Sequence, residues 1–369
     1  MQASELFHQP NTILLDGGMG TMLQAAGMKL GTRPEDLNIE NPELIRSIHA
    51  KYAAAGSRVV NANTFGASPH KLADSKYTLE EVITAGIANC KQAVAPYGAL
   101  VTLDVGPLGE LLEPSGTLAF EDAVAEYGRI VRAGVAAGAD ILYFETFTDL
   151  YEMKAALLAA KENSTLPIMA SMSFEANGRT FTGCTVESFA ATARGLGVNA
   201  VGINCSLGPK EIFPMAKRLA EAVPGDFPVF VKPNAGLPRA DGSGYDITPQ
   251  LYAMQMKPYR ELHLFAAGGC CGTTPEFIQM LNGVFADCKP GRPEHPMLSI
   301  ICSPVDCVNV DGITVVGERI NPTGKKRFQQ ALRDGDMNYI LEQAVSQAEA
   351  GAQILDVNVG APGVDEPAL

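Results

Sequence analysis

Three cysteines combine a residue type and a setting that suit metal binding. Cys205 lies in the segment INCS, and the adjacent Cys270 and Cys271 lie in AAGGCCGTTPEF. Each segment continues a run of apolar residues that predicts a buried strand, so the three thiols are expected where strands end and loops begin. Three thiolates favour Zn2+, and three protein ligands leave the fourth tetrahedral position open, as a catalytic zinc site requires.

The adjacent pair needs an irregular backbone if both thiols are to face one metal ion. Neighbouring residues on a regular strand point to opposite faces of a sheet. Gly268, Gly269 and Gly272 surround the pair and free the backbone to turn both thiols inward. Two alternatives stay open, because buried cysteines often serve only as small apolar residues. They are unrelated core thiols beside a chance pair, and a strained vicinal disulfide.

The charge of such a site indicates the reaction that it would favour. Zn2+ with three thiolates carries a net charge of about −1, which makes it a poor Lewis acid for activating water. A substrate thiol that entered the fourth position would lose its proton near neutral pH and would remain nucleophilic. The three cysteines therefore predict alkyl transfer to sulfur.

Composition excludes several other classes of protein. The formal net charge of −13 comes without a cluster of Lys or Arg, so nucleic-acid binding is not expected and a small-molecule substrate is. No apolar run reaches the ~18 residues of a membrane span and no export signal is visible, so we expect no membrane partner and a cytoplasmic location. Disulfides rarely persist there, so the other cysteines are expected to be ordinary thiols: Cys90, Cys184, Cys288, Cys302 and Cys307.

Apolar runs that predict buried strands alternate with segments of helical spacing along most of the chain. Eight strand and helix units in about 285 residues match the size and rhythm of a (β/α)8 TIM barrel. A doubly wound open sheet uses the same alternation and is the alternative. The predicted strands are TILLDGG (12–18), RVVNANTF (58–65), LVTLDVG (100–106), ILYFET (141–146), PIMASMSF (167–174), AVGINCS (200–206), PVFVKPN (228–234) and LHLFAAGGCCG (262–272).

Polar residues at the strand ends favour the barrel. They cluster at the C-terminal end of nearly every run, and in a barrel all of these positions converge on one mouth, where barrel enzymes carry their chemistry. An open sheet would scatter them along an edge. These residues are Asp16, Asn61, Asn63, Asp104, Glu145, Ser171, Ser173, Asn204, Cys205, Asn234, Cys270 and Cys271.

The chain changes character near residue 288, where a segment rich in Pro and without helical periodicity begins. We expect a barrel over residues 1–288, an interdomain linker over 289–312, and the truncated start of a second domain over 313–369. That last part predicts a βαβ unit, with a strand and loop in 314–326, a helix in 332–352 and a strand in 353–360.

Several short motifs together resemble those of the homocysteine S-methyltransferase family. The resemblance runs from about residue 10 to residue 290, and it implies a zinc (β/α)8 barrel in which Cys205, Cys270 and Cys271 hold the metal and the thiol of homocysteine completes the tetrahedron. The motifs are DGGMGT (16–21), NANTFGA (61–67), FET (144–146), GINCS (202–206), KPNAG (232–236) and GGCCGTTPEF (268–277).

The resemblance also implies roles for residues around the metal. Carboxylates that match Asp16 and Glu145 receive the amino group of the substrate in that family, although each could instead serve as a cap or a loop hydrogen bond. The peptide groups of Gly17 and Gly18 could form a small anion nest for the substrate carboxylate. Amides that could support the site, or only satisfy neighbouring backbone, are those of Asn63, Asn204 and Asn234.

The C-terminal segments VGERINPTGKK and ILDVNVGAPGVDEPA resemble the first strands of the pterin-binding barrel of cobalamin-dependent methionine synthases. Residues that match Asn321, Asp356 and Asn358 would contact the pterin there, although two strands alone do not form a working site. The D-x-H-x-x-G signature of cobalamin binding does not occur. The resemblance thus implies methyl transfer from methylcobalamin to homocysteine. The cobalamin domain and the rest of the pterin-binding domain would lie in a missing part of the protein or on another chain.

Two other functions fit the same residues. One is a homocysteine methyltransferase that takes its methyl group from S-methylmethionine or betaine. The other is a non-catalytic barrel with a structural zinc ion, which docks other modules. A structural site normally has four protein ligands, so the three cysteines favour the catalytic alternatives.

Overall fold

The structure is a computed structural model that describes residues 3–29, 31–239, 244–366 and 369. The chain divides into two compact units. The first contains Met1–Met297 and Pro304–Asp306, and the second contains Leu298–Ser303 and Cys307–Leu369.

Eight parallel strands of the first unit close into a barrel in their order along the chain, and β1 pairs with both β2 and β8. This closure confirms the predicted (β/α)8 barrel and excludes the open sheet. Seven of the strands are shorter than the predicted runs, mainly because their polar C-terminal ends leave the ladder as loops, and the fourth is one residue longer. They are β1 (Ile13–Leu15), β2 (Ser57–Asn61), β3 (Leu100–Val105), β4 (Ile141–Phe147), β5 (Ile168–Met172), β6 (Ala200–Asn204), β7 (Val229–Lys232) and β8 (Ala266–Ala267).

Helices connect successive strands and cover the outside of the barrel. Several begin at side-chain caps, such as Thr78 before α4, whose hydroxyl accepts from the Glu81 N–H while Glu81 accepts from the Thr78 N–H. Short 3-10 helices occupy Ala3–His8, Pro34–Asp36, Ala95–Tyr97 and Lys257–Leu262. The α-helices are α1 (Met19–Ala25), α2 (Leu37–Glu40), α3 (Pro42–Ala54), α4 (Leu79–Val94), α5 (Phe120–Ala136), α6 (Leu150–Asn163), α7 (Val186–Gly195), α8 (Pro209–Glu221), α9 (Pro249–Met256) and α10 (Pro275–Phe285).

Strand alternation sorts the barrel interior into an apolar floor and a charged upper layer. Ile141, Tyr143 and Glu145 follow one another at every second position of β4, and Phe230 and Lys232 do the same in β7. The Tyr143 and Phe230 rings meet edge to face with centroids 5.5 Å apart. The charged ends of Glu145 and Lys232 therefore lie one layer above a packed aromatic floor.

The second unit holds two small sheets and two helices. β9 (Ile300–Cys302) and β10 (Cys307–Asn309) form an antiparallel hairpin, and β11 (Val316–Ile320) pairs in parallel with β12 (Ile354–Val357). The hairpin lies within the segment for which the sequence indicated only a linker. A small core joins β11 to the helices and contains Ile320, Phe328, Leu332 and Ile340.

The helical part of the second unit differs from the single helix predicted over 332–352. Two helices form instead, α11 (Lys326–Asp334) and α12 (Met337–Glu349). Gly335 ends α11 with a left-handed φ of 64°, and the Asp336 carboxylate then accepts from the Tyr339 N–H to begin α12. Within the described part of the chain, no helix combines the length and apolar character that crossing a membrane requires.

Candidate active site

A pocket of about 300 Å³ opens at the C-terminal mouth of the barrel. Its lining comes from the ends of seven of the eight strands and from the loops that follow them. The apolar side chains of Met19 and Phe65 contribute to its wall. The residues that could do chemistry there are Asp16, Asp104, Glu145, Cys205, Lys232, Cys270 and Cys271.

The three cysteines converge in this pocket. Their sulfur atoms all lie within 4.8 Å of one another, and the Sγ atoms of Cys205 and Cys271 are 3.8 Å apart. Zinc–thiolate bonds of about 2.3 Å would put two sulfurs on one tetrahedral ion ~3.8 Å apart, so the three sulfurs could hold a metal ion. Cys270 and Cys271 are both free thiols, so the vicinal disulfide is absent here.

A strained turn aims Cys205 into the pocket. Cys205 and Ser206 both have a φ of 61°, in the left-handed region that residues with a Cβ rarely adopt. The Leu207 N–H donates to the Cys205 carbonyl at 2.7 Å and so closes the turn. Two consecutive strained residues persist only where the surroundings hold them, which is a feature of functional sites.

The end of β7 holds all three cysteines in place. The Cys205 N–H donates to the Lys232 carbonyl at 3.0 Å, and the Cys270 N–H donates to the Pro233 carbonyl at 2.8 Å. The Cys271 N–H donates to Oδ1 of Asn234 at 3.1 Å. The segment KPN (232–234) therefore forms hydrogen bonds with both cysteine-bearing loops and holds them in position.

Glycines permit the close approach of these loops. Gly272 has a φ of 80°, and a Cβ there would lie 2.3 Å from Cγ of Tyr245. A Cβ on Gly17 would lie 2.6 Å from the Thr273 hydroxyl. The predicted role of Gly272 in turning the cysteine pair inward agrees with this backbone, and Gly17 proves to be needed for space.

Hydrogen bonds among the sulfurs distribute their protons unevenly. The bonds from Cys205 and then Cys270 lower the pKa of Cys271 to about 3. Its bonds with Cys205 and Cys271, together with burial, raise the pKa of Cys270 well above the ordinary value. One sulfur therefore holds a thiolate while neighbouring thiols donate to it, an arrangement in which a bound cation would replace protons.

Tyr245 covers the cysteine loop from the segment that follows β7. Its ring lies on Gly272, and its side-chain hydrogen bond with Cys271 helps to lower the pKa of that thiol. The Ala235 N–H donates to the Cys271 carbonyl, and the Ile247 N–H donates to the Ala235 carbonyl. These bonds tie the segment that carries Tyr245 to the cysteine loop.

A buried lysine bridges the two carboxylates that the resemblance assigns to the substrate. Nζ of Lys232 lies 3.0 Å from Oδ1 of Asp16 and 3.3 Å from Oε2 of Glu145, and all three side chains are at most 10% exposed. Burial alone would lower the pKa of Lys232, but the charges of Asp16 and Glu145 outweigh it and raise that pKa well above the ordinary value. Burial in turn raises the pKa of both carboxyls despite the lysine.

Asp104 is a pocket carboxyl that forms no salt bridge with Lys232, and Glu35, which also lines the pocket, instead accepts from the Gly66 N–H. It is buried, lines the pocket, and its Oδ1 has no hydrogen-bond partner among the residues that the structure describes. Burial first, and the charge of Glu145 second, raise the pKa of Asp104 well above its ordinary value. An unpartnered buried carboxyl oxygen is costly, so it is a candidate acceptor for a donor from a ligand.

The three predicted amides support the site from different positions. Asn204 has the closest link to the cysteines, because its Nδ2 donates to the Thr146 hydroxyl at 2.7 Å and contacts Sγ of Cys270 at 3.9 Å. Asn234 holds the Cys271 peptide, as described above. Asn63 instead donates to the Pro34 carbonyl at 2.7 Å, so it supports the loop that forms the pocket wall.

The predicted anion nest is only partly available. The Gly18 N–H donates to the Thr273 hydroxyl at 3.2 Å, and a Cβ on Gly18 would lie 2.8 Å from the Cys270 carbonyl oxygen. Gly17 and Gly18 both line the pocket. Gly18 therefore helps to join β1 to the cysteine loop, and Gly17 stays a proposed contact of the substrate carboxylate.

The residues that resemble pterin ligands lie at one edge of the second unit. β11 and β12 pair in parallel, and the Asn358 N–H donates to the Ile320 carbonyl at 2.8 Å, which brings Asn321 and Asn358 to the same edge. Asn321 bonds Glu318 and the Thr323 N–H, and Asn358 accepts from the Gly360 N–H. Asp356 is exposed on β12.

Sequence reasoning did not assign functional roles to Lys232, Asp104 or Tyr245. Lys232 interrupts the apolar run PVFVKPN two residues after Phe230, and that spacing alone places it on the inner face of β7. Asp104 was noted only as one of the polar strand ends. Tyr245 lies in a loop with no sequence pattern that ties it to the cysteines.

The fold and the site together define a (β/α)8 barrel enzyme whose mouth carries a three-thiol cluster able to hold a metal ion. The profile of the homocysteine S-methyltransferase family matches residues 13–285, and the chain belongs to that family. It is therefore a methyltransferase. This membership agrees with the predicted family and argues against the non-catalytic barrel.

Two relatives extend the comparison. The methionine synthase of Mycobacterium tuberculosis is 31% identical over 376 residues, an alignment that covers 95% of this chain and 31% of that protein. The homocysteine methyltransferase MmuM of Escherichia coli is similar in its oxidized form, with 25% identity and a TM-score of 0.66 over 76% of this chain and 98% of MmuM. Its metallated form gives 26% identity and a TM-score of 0.63 over 75% of this chain and 98% of MmuM.

Proposed function

We propose that this chain transfers a methyl group to the thiol of homocysteine, with a zinc ion held by Cys205, Cys270 and Cys271. The proposal rests on the convergence of three sulfurs, which lie within 4.8 Å of one another in a pocket lined by charged side chains. Homocysteine offers one thiol, one ammonium and one carboxylate. The pocket offers a counterpart for each of these groups: the cysteine cluster for the thiol, an unpartnered carboxyl for the ammonium, and backbone N–H groups for the carboxylate.

The residues present fit a zinc ion. The donor set is all sulfur, hydrogen bonds from Cys205 and Cys270 lower the pKa of Cys271 to about 3, and the backbone that carries the cysteines is fixed by the end of β7. When bound, zinc would lower the pKa of a substrate thiol in the open fourth position and keep its sulfur nucleophilic.

Three carboxyl groups of the pocket differ in their proposed roles toward the substrate ammonium. Lys232 already supplies positive charge to Asp16 and Glu145, so a second ammonium finds its free acceptor at Asp104. Glu145 lies beside Asp104 closely enough that its charge raises the pKa of Asp104. We infer that Asp104 is the primary partner of the substrate ammonium, with Glu145 as its neighbour and Asp16 as the anchor of Lys232.

The rest of the pocket orients the substrate. The side chains of Met19 and Phe65 offer apolar surface to the methylene groups of homocysteine, and Gly17 lies where a backbone N–H can meet the carboxylate. Asn204 and Tyr245 fix the sulfur cluster from its two sides. These contacts would hold the nucleophilic sulfur facing the open mouth, from which a methyl donor must approach.

The second unit supports methylcobalamin as the methyl donor. The alignment with the methionine synthase covers 95% of this chain and so extends into the second unit, whereas the alignment with MmuM covers 76%. Asn321, Asp356 and Asn358 would contribute to a pterin site once the remaining strands of that domain are supplied. The chain spans 31% of the length of the methionine synthase, so a donor domain on the remaining sequence is part of the proposal.

Methionine formation with separate donors tests this function. The zinc-loaded chain would receive homocysteine with methylcobalamin, S-methylmethionine or betaine, and methionine would be quantified by mass spectrometry. We expect methyl transfer from methylcobalamin, and C205A to abolish it. Turnover only with S-methylmethionine or betaine would instead establish the alternative donor, for which the match to 98% of MmuM is the supporting observation.

A further inference from the structure

Two cysteines outside the zinc cluster face each other across the hairpin of the second unit. Cys302 ends β9 and Cys307 begins β10, and the register pairs the two directly. Both are partly exposed, whereas Cys90, Cys184 and Cys288 are buried. The sequence analysis predicts ordinary thiols at both positions, because disulfides rarely persist in the expected cytoplasmic location.

The hydrogen-bond pattern determines the type of this pair. The Val310 N–H donates to the Ser299 carbonyl at 2.8 Å, so residues 310 and 299 form a hydrogen-bonded pair of the antiparallel ladder. Pairs alternate along such a ladder, and Cys302 and Cys307 are three steps away. They therefore form a non-hydrogen-bonded pair, the type that brings opposite side chains closest together.

This geometry suits a disulfide. Cα atoms of a non-hydrogen-bonded pair lie about 4.5 Å apart, and a disulfide requires roughly 4.4–6.8 Å. Opposed residues of one ladder also project from the same face of the hairpin. The register therefore places the two cysteines within the range that a disulfide can span.

We propose that Cys302 and Cys307 form a reversible thiol–disulfide site that reacts with small disulfides of the glutathione class. One thiolate attacks the small disulfide, forms a mixed disulfide and releases one small thiol. The second cysteine then attacks the protein sulfur of that mixed disulfide and releases the second small thiol. Two protein thiols are oxidised, one small disulfide is reduced to two thiols, and the two protons pass to the released thiolates.

The bond would brace a loop that has defined contacts. The tip of the hairpin, Pro304–Asp306, groups with the barrel unit. The Pro304 carbonyl accepts from the Thr185 N–H at 3.2 Å, and the Val305 carbonyl accepts from Nη1 of Arg179 at 2.9 Å. Oxidation would fix the four-residue loop that presents these carbonyls, so amide exchange of Ser303, Val305 and Asp306 is expected to slow in the oxidised protein.

The test uses the whole zinc-loaded chain, so that Cys205, Cys270 and Cys271 are protected by their metal. The protein is equilibrated in glutathione buffers of increasing oxidised fraction, quenched in acid, alkylated and mapped by peptide mass spectrometry. We expect an internal link between Cys302 and Cys307 and the loss of two alkylatable thiols, while Cys90 and Cys184 stay alkylatable after unfolding. Both hairpin thiols remaining alkylatable in the most oxidising buffer would overturn the proposal.

Two variants distinguish disulfide formation between Cys302 and Cys307 from the reaction of cysteines elsewhere in the chain. In C302S and C307S the remaining cysteine should stop at the mixed disulfide with glutathione, because its resolving partner is gone. Formation of the same amount of internal disulfide in either variant would show that other cysteines account for it and would also overturn the proposal. The mapping of the unsubstituted protein stands by itself if a variant does not fold.

Discussion

Nζ of Lys232 lies 3.0 Å from Oδ1 of Asp16, and both side chains are almost completely shielded from solvent within the barrel mouth. The same ammonium reaches Glu145 at 3.3 Å and lies 5.2 Å above the Tyr143 ring. The protein thus supplies its own cation to two carboxylates that would otherwise repel each other. Under the proposed function, this bridging leaves Asp104 as the acceptor for the substrate ammonium.

K232M is expected to destabilise the fold strongly. Removal of one partner of a buried ion pair leaves uncompensated charge, which typically costs about 3–5 kcal/mol. Chemical denaturation measures the loss. K91M is the matched control, since Lys91 and Asp140 form a partly exposed pair at 3.2 Å that should contribute at most about 1 kcal/mol. Equal losses in the two variants would show that the buried ion pairs of Lys232 contribute no more to stability than the partly exposed pair of Lys91.

D104N is expected to weaken homocysteine binding. It replaces the carboxyl that would accept from the substrate ammonium, and a hydrogen bond to a charged group is worth about 1.5–3 kcal/mol, or roughly tenfold to hundredfold in affinity. Calorimetry on the zinc-loaded protein measures the change. D122N, at an exposed position of α5, serves as the control. Unchanged affinity in D104N would place the ammonium elsewhere and return Glu145 or Asp16 to that role.

The same substitution is expected to change how stability depends on pH. Burial raises the pKa of Asp104 above its ordinary value of 3.8, so the folded state holds this proton more tightly than the unfolded state does. The free energy of unfolding should therefore fall as the pH rises from near 3.8 through the raised folded pKa. D104N should lack this part of the slope and gain stability relative to the unsubstituted protein toward higher pH. Parallel stability profiles in denaturation series would contradict the assignment.

Y245F is expected to weaken zinc binding without unfolding the loop. Phenylalanine keeps the ring on Gly272 but removes the hydroxyl that bonds Cys271, and loss of such supporting contacts typically costs 10–100-fold in metal affinity. Competition with a chromophoric chelator measures the affinity. Y97F provides a control at an exposed tyrosine. Identical affinities would mean that the Tyr245 hydroxyl does not act on the metal site.

The barrel could be predicted from sequence because its strands are buried on both faces and therefore read as eight near-continuous apolar runs. The cysteine cluster could be predicted because its residue types are rare at strand ends and the glycines around Cys270 need an explanation. Both signals are local in sequence. The closed barrel then brings Cys205 close to Cys270 and Cys271.

The charge relationships could not be predicted because they depend on which side chains face each other across the barrel. Lys232 and Asp16 are separated by 216 positions, and only the closed sheet brings them together. The hairpin of Cys302 and Cys307 was missed for a different reason. Its strands are three residues long, too short for alternation to separate them from a Pro-rich linker.

Zinc X-ray absorption with and without homocysteine tests the central claim most directly. The account predicts near-stoichiometric zinc bound by three sulfurs and one lighter atom in the free protein, and by four sulfurs once homocysteine is added. A protein purified without chelators that holds no zinc, or a zinc environment that homocysteine leaves unchanged, would contradict it.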